Sequence, residues 1–298
     1  MHLIPIFDTS VFIDVSKGII SRADWRRVKK LLPKHGCPIS FISLQELLIG
    51  LHTCSPEYFQ EKKRAVEEAR VISRQRVLDQ PQTFLIRHTI QPEFRGIGLR
   101  SSQMKDWLEV ACRAKDQRQL SEGIKYKGLF FGMDLAVLQK TRFDAGQSQI
   151  GILERVLNEL HPDWRNLRKE THRSLPQELH DEIQRVDSQV WRRESAQALI
   201  HAAGVTQDES AICSVIAGAD ATLIFTASLI RDVLLTDYRF ESNSNNLFDG
   251  LQLYYLADKR FCFVTQDTKL IGRVQQSTQA NRVLTVESFL SNPIVCQL

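Results

Sequence analysis

Two short apolar runs near opposite ends of the chain, Ile4-Pro5-Ile6-Phe7 and Phe261-Cys262-Phe263-Val264, each stop abruptly, and an acid follows within three residues: Asp8 after the first, Asp267 after the second. Unbroken apolar runs of this length read as strands buried on both faces, the pattern of a parallel sheet covered by helices. Two further acids sit beside apolar segments, Glu46 in SFISLQELLIG and Asp249 in NNLFDGLQLYYLAD. In an open parallel sheet such positions converge on one edge, where these folds place their ligands.

Taken singly, each acid has an ordinary explanation. Asp8 caps a helix, Glu46 is a solvated helix residue, Asp249 complements a helix dipole in its first turn, and Asp267 shapes a turn after a strand. Taken together they imply a site. Carboxylates crowded at one edge repel one another and raise some pKa values unless a cation neutralises them, so Asp8→Asn or Asp267→Asn should leave the metal-free melting temperature unchanged or higher. Hard oxygen donors of this kind suit Mg²⁺ or Mn²⁺.

The texture of the chain divides it into three parts. Residues 1–55 read as a strand (3–7), an acid and a helix starting at Asp8-Thr-Ser, followed by a second apolar run (37–43) expected as a strand and a helix over 44–51 carrying Glu46. Residues 56–235 change to long polar segments of helical period, over 56–78, 101–120, 147–160 and 177–203, in all about six helices with no expected strand. Residues 236–298 return to alternation, with a helix at 248–257, a strand at 261–265, a helix at 270–276 and a last strand at 282–286. The fold class expected is therefore α/β: a parallel sheet with helices on both faces, interrupted by a mostly α-helical insertion.

The segment 211–230 is nearly long enough to span a bilayer, but its small residues and central Asp220 suit a buried helix, or a hairpin broken near Gly218. With no signal-peptide pattern at Met1 and six scattered cysteines lacking any C-x-x-C pair, the chain reads as a cytoplasmic protein with free thiols and no membrane association. The net charge of +4 says little about partners, but its distribution says more. Residues 60–127 hold fifteen Lys and Arg against nine Asp and Glu, whereas residues 236–298 hold six of each.

At this point the sequence resembles the PIN-domain metal-dependent nucleases, on four short motifs in order. Asp8 is followed by Thr9 and Ser10, Glu46 is preceded by Ser43, Asp249 opens a late helix, and Asp267 stands two residues after Thr265; the ending RVLTVESFL is similar to the family's closing strand and helix. The resemblance covers residues 1–52 and 236–298 and leaves most of the central block without a counterpart. A rival pair, Thr236-Asp237, competes for the last motif, but the strand-like FCFV before Thr265 favours Asp267. Asp8-Thr-Ser also resembles the nucleophile of haloacid-dehalogenase-like phosphatases, yet Ser10 stands where those require a second Asp.

The resemblance implies an endoribonuclease that hydrolyses phosphodiesters at a Mg²⁺ or Mn²⁺ site. Asp8, Glu46, Asp249 and Asp267 would be metal ligands and catalytic groups, with Ser10 and Thr265 holding the carboxylates in place. RNA, or single-stranded DNA, would be the partner, and Lys62, Lys63, Arg70 and Arg74 on one expected helix would hold its backbone, unless that face is simply solvated. The family includes toxins with protein antitoxins and phage-defence effectors, so an antitoxin or other protein partner and a homodimer are compatible assemblies. Two alternatives stay open: a DNA nuclease of the same chemistry, and a catalytically silent scaffold. Retention of all four acids argues against the silent scaffold. His161, His172 and His180 lack zinc-site spacing, and Gly96-Ile-Gly98 lacks the context of a dinucleotide site.

Overall fold

The computed structural model describes residues 3–90, 102–126, 135–160, 177–235 and 246–291. Gly96, Gly98, Lys127, His161, His172, Thr236 and Asp237 lie outside the described residues.

Chain order runs β1 (Ile4–Phe7), α1 (Thr9–Lys17), α2 (Arg22–Leu31), α3 (Phe41–Thr53), α4 (Phe59–Ser73) and α5 (Pro81–Thr89). It continues through α6 (Ser102–Arg113), α7 (Gln117–Tyr126), α8 (Leu135–Leu160), α9 (Gln177–Val186), α10 (Gln189–Ala202), α11 (Glu209–Gly218) and α12 (Asp220–Leu235). The last elements are α13 (Asn246–Gln252) with a 3₁₀ extension (Leu253–Ala257), β2 (Phe261–Val264), α14 (Thr268–Arg273), β3 (Val283–Leu284) and α15 (Val286–Ser291).

The strands form a three-stranded sheet in the order β1-β2-β3, parallel throughout. Register sets Ile4 opposite Phe261 and Phe7 opposite Val264, so Asp8 and Thr265 leave the sheet side by side. The two-residue side-chain period then splits the strands between two cores. Ile6, Phe261 and Phe263 face one side with Phe84 of α5 and Phe225 of α12; Phe7, Cys262 and Val264 face the other with α1, α2, α3, α4 and α15. On that second side Phe7 meets Phe12, Trp25 and Phe289 edge-on at ring separations of 6.0, 5.6 and 6.0 Å. Helices on both faces of a parallel sheet are thus the observed arrangement.

The central helices pack onto this sheet. Ala65, Val66, Ala69 and Ile72 of α4 join the core around Phe7, as do Trp107 and Leu108 of α6 and Leu135 and Leu138 of α8. A third cluster joins Leu85 and Ile86 of α5 to α10 and α11. Among the described residues the segment 56–235 holds nine α-helices, more than its periodicity suggested. The expected helix over 101–120 divides because Asp116 Oδ1 accepts from Gln119 N at 2.8 Å and starts α7. Ser188 likewise caps α10 and divides the expected helix over 177–203. Helix α8 begins at Leu135, well before the expected 147.

The expected strand over 37–43 is corrected to one isolated parallel bridge, Ile39 with Val77. Ser40 ends it by accepting from Ser43 N at 2.8 Å and capping α3. Before it, Gly36 has φ +73, and a Cβ there would lie 2.5 Å from Ile72 O, so the turn requires glycine.

Among the described residues no single helix is long and apolar enough to cross a membrane. The pair Glu209–Gly218 and Asp220–Val233 reaches that length only together and is bent by 71°. Asp220, at the bend, is buried but compensated: Oδ1 accepts from Arg192 Nη1 at 2.8 Å and Oδ2 from Thr278 N and Oγ1 at 2.7 and 2.8 Å. The described cysteines, Cys37, Cys54, Cys112, Cys213 and Cys262, are free thiols.

Candidate active site

Asp8 is the first residue past β1 and the N-cap of α1. Its Oδ1 accepts from Thr9 N at 2.7 Å and from Gln252 Nε2 at 3.2 Å; its Oδ2 accepts from Ser10 Oγ at 2.6 Å and Thr265 Oγ1 at 2.9 Å. The two hydroxyls in turn accept from the turn after β2, Ser10 Oγ from Gln266 N at 3.2 Å and Thr265 Oγ1 from Asp267 N at 3.0 Å. Ser10 and Thr265 therefore hold Asp8 and the Asp267 turn in one unit. Asp267 caps α14, its Oδ1 accepting from Lys269 N at 2.8 Å and Leu270 N at 3.1 Å.

Gln252, absent from the sequence-based set, is fully buried behind Asp8. Its Oε1 accepts from Ser40 Oγ at 2.6 Å and Ser43 Oγ at 2.8 Å, and Ser43 Oγ also lies 3.3 Å from Phe7 O. This network ties the start of α3, the end of β1 and the end of α13 together. A signal for it did exist: Gln252 lies three residues after Asp249 and therefore on the same helical face. Gly250 lets α13 sit close to α12, since a Cβ there would lie 2.6 Å from a Phe225 ring atom.

Asp8, Glu46, Asp249 and Asp267 all line one cavity of about 500 Å³, with Thr9, Ser10, Gln139, Arg142, Phe143 and Phe248 among the other lining residues. Glu46, from α3, has both oxygens engaged: Oε2 accepts from Thr9 Oγ1 and Oε1 from Arg142 Nη2. Arg142, from α8, is a second residue that sequence reasoning missed. It joins Glu46 across 96 positions of chain, and no local pattern marks it. Its guanidinium also lies 4.3 Å from the centre of the Phe248 ring.

The cluster carries more negative charge than one guanidinium compensates. Burial pushes the Asp249 carboxyl up to about 8, and the carboxylates of Asp8, Glu46 and Asp267 push the same way, against Arg142. Burial also raises the Glu46 carboxyl; Asp8 adds to the rise, and Arg142 and the Thr9 hydroxyl oppose it. Both carboxyls are thus held above their ordinary range by their surroundings.

Among the described residues no group of three or more His, Cys, Asp or Glu side chains is placed to hold a metal ion. Arg142 and Thr9 hold Glu46, and helix amides hold Asp267 Oδ1. In chemistry the donor set still suits a hard divalent cation: oxygen ligands, excess negative charge and an Asp249 carboxyl whose ionised form a cation would favour. Mg²⁺ requires only one or two carboxylates and retains several waters.

The four cations expected to hold nucleic acid do not reach this cavity. Lys62, Lys63 and Arg70 belong to α4, and Arg74 follows it in the left-handed region at φ 47. Lys63 lies 3.9 Å from Glu67, and both Lys63 and Arg70 act on the Cys112 thiol of α6, so those two face a neighbouring helix.

No protein-family model, curated protein or solved structure matches this chain.

Proposed function

We propose that the carboxylate cavity is the active site of a PIN-like, metal-dependent nuclease that hydrolyses phosphodiester bonds, with RNA as the favoured substrate. One observation carries this reading. Four carboxylates from four separate parts of the chain line a single cavity, where burial, and after it the charges of Asp8, Glu46 and Asp267, push Asp249 up to about 8. Such an arrangement is unfavourable for folding and is made useful by a cation. Strained or charge-crowded sites of this kind are candidates for function.

Asp8, Asp249 and Asp267 would hold Mg²⁺ or Mn²⁺, and Glu46 would serve a second ion or position the attacking water. A bound ion would lower the pKa of its water and offset charge on the phosphate and leaving oxygen. The protein's own contribution is placement. Ser10, Thr265 and Gln252 fix Asp8 through hydrogen bonds, and Thr9 fixes Glu46. In the hydrolysis, a water oxygen bonds to phosphorus and releases one proton to solvent as the bond to the leaving ester oxygen breaks. The electron pair stays on that oxygen, which takes a proton from solvent.

The same reading carries a cytoplasmic setting, an RNA or single-stranded DNA partner, and a role as a toxin held by an antitoxin or as a phage-defence effector. The test is incubation of purified protein with end-labelled RNA and DNA, with Mn²⁺ or with EDTA. Mn²⁺-dependent cleavage of RNA is expected. Cleavage of DNA alone would change the substrate class, and cleavage of neither would refute the reading.

A further inference from the structure

Arg142 stands in the cavity with half of its fork unused. Its side chain is only 10% exposed, Nη2 is committed to Glu46, and Nη1 is buried with no hydrogen-bond partner. A counter-ion for Glu46 would need charge alone. This guanidinium is also clamped in orientation, by Glu46 at one nitrogen and by the Phe248 ring 4.3 Å from its carbon. Arginine fixed in this way is the side chain suited to a planar fork contact with phosphate, and a buried N–H without an acceptor is relieved when one enters.

We propose that Arg142 is a substrate-contacting residue that takes a non-bridging oxygen of the scissile phosphate through Nη1 while Nη2 stays on Glu46. This rests on the nuclease reading above. It gives the central helical segment a catalytic part: among the described residues lining the cavity, α8 supplies the one cation, where the carboxylates would otherwise repel the phosphate. As phosphorus passes through its five-coordinate arrangement, negative charge grows on the non-bridging oxygens, and the guanidinium is placed to stabilise it.

The test compares the wild type with Arg142→Gln and Arg142→Lys in single-turnover cleavage with Mn²⁺. Two substrates are needed. One carries the natural phosphate, and the other carries a methylphosphonate at the scissile position, with a 2′-deoxyribose there and each diastereomer tested separately. Mn²⁺ affinity is measured by electron paramagnetic resonance. Arg142→Gln should slow cleavage of the natural substrate by about 10²-fold or more, the loss typical of removing one oxyanion donor. Mn²⁺ affinity should hold or tighten, and one methylphosphonate diastereomer should slow the wild type far more than it slows the variant. Arg142→Lys keeps the ion pair with Glu46 and hence the fold; it should show the same pattern in milder form, and it decides the matter if Arg142→Gln proves unfolded. Undiminished cleavage by the folded variants, with tightened Mn²⁺ binding, would reduce Arg142 to a counter-ion and overturn the proposal. A wild type that cleaves no nucleic acid with Mn²⁺ would overturn the nuclease reading itself, and this role with it.

Discussion

Asp8, at the sheet edge, accepts hydrogen bonds from Thr9, Ser10, Gln252 and Thr265, whereas Asp249, on the helical wall of the same cavity, faces the carboxylates of Asp8, Glu46 and Asp267. The edge is built for its charge; on the wall, burial first and the neighbouring carboxylates second oppose it. A carboxylate satisfied by fixed donors supports the fold, while one pushed against its neighbours opposes folding and is held ready for a ligand. The two kinds of acid should therefore respond differently to the same substitution.

Asp8→Ala and Asp249→Ala should both lower cleavage by about 10³-fold or more, on the scale of losing a central electrostatic contact. Their melting temperatures should part. Asp8→Ala strands buried donors and removes a helix cap, at about 3 kcal/mol. Asp249→Ala should leave the metal-free protein as stable or more stable. For Asp8 this loss departs from the expectation of an unchanged or higher melting temperature, because in the fold its carboxylate accepts four hydrogen bonds. Equal destabilisation by both, measured by thermal melts in EDTA, would erase the distinction.

The pH dependence of stability sharpens it. Asp249 is raised to about 8 in the fold from an ordinary value of 3.8, so between those values the folded state binds more protons than the unfolded state. Its favourable contribution is full below the unfolded value and is lost as pH rises through about 8, with a slope of up to about 1.4 kcal/mol per pH unit. Denaturant titrations from pH 5 to 9 should show this decline in the wild type and a flatter profile in Asp249→Asn.

Gln252→Leu tests the link between the edge and the helices behind it. The substitution leaves Ser40 and Ser43 without their acceptor and Asp8 without one donor. A loss of about 1–3 kcal/mol in stability and about 10–100-fold in activity is expected, measured by denaturant melts and initial rates. The smallest effect belongs to α4. Replacing Lys62, Lys63, Arg70 and Arg74 with Gln should change the salt slope of RNA binding by much less than the roughly 0.7 log units per contact of full phosphate engagement, because Lys63 and Arg70 face α6.

How much of this could be read from the sequence follows the reach of each interaction. Asp8 and Asp267 were legible because a buried strand ends where they begin, and parallel pairing of Phe7 with Val264 carries them to one place. Asp249 and Glu46 were legible only as members of the set. The strand expected over 37–43 was not, because Ser40 offers the backbone a helix cap that outweighs the apolar run around it. Arg142 was not, because its ion pair crosses the helical segment and leaves no periodic or motif signal. The break at Asp116 was also hidden: it uses a side-chain cap with neither glycine nor proline to mark it.

The most direct test is Mn²⁺ binding itself, by isothermal titration and thermal melting near pH 7.5, in the wild type and in Asp249→Asn. The account predicts saturable binding that raises the melting temperature of the wild type and is much weakened in the variant. Absence of binding in the wild type, or equal binding in both proteins, would contradict it.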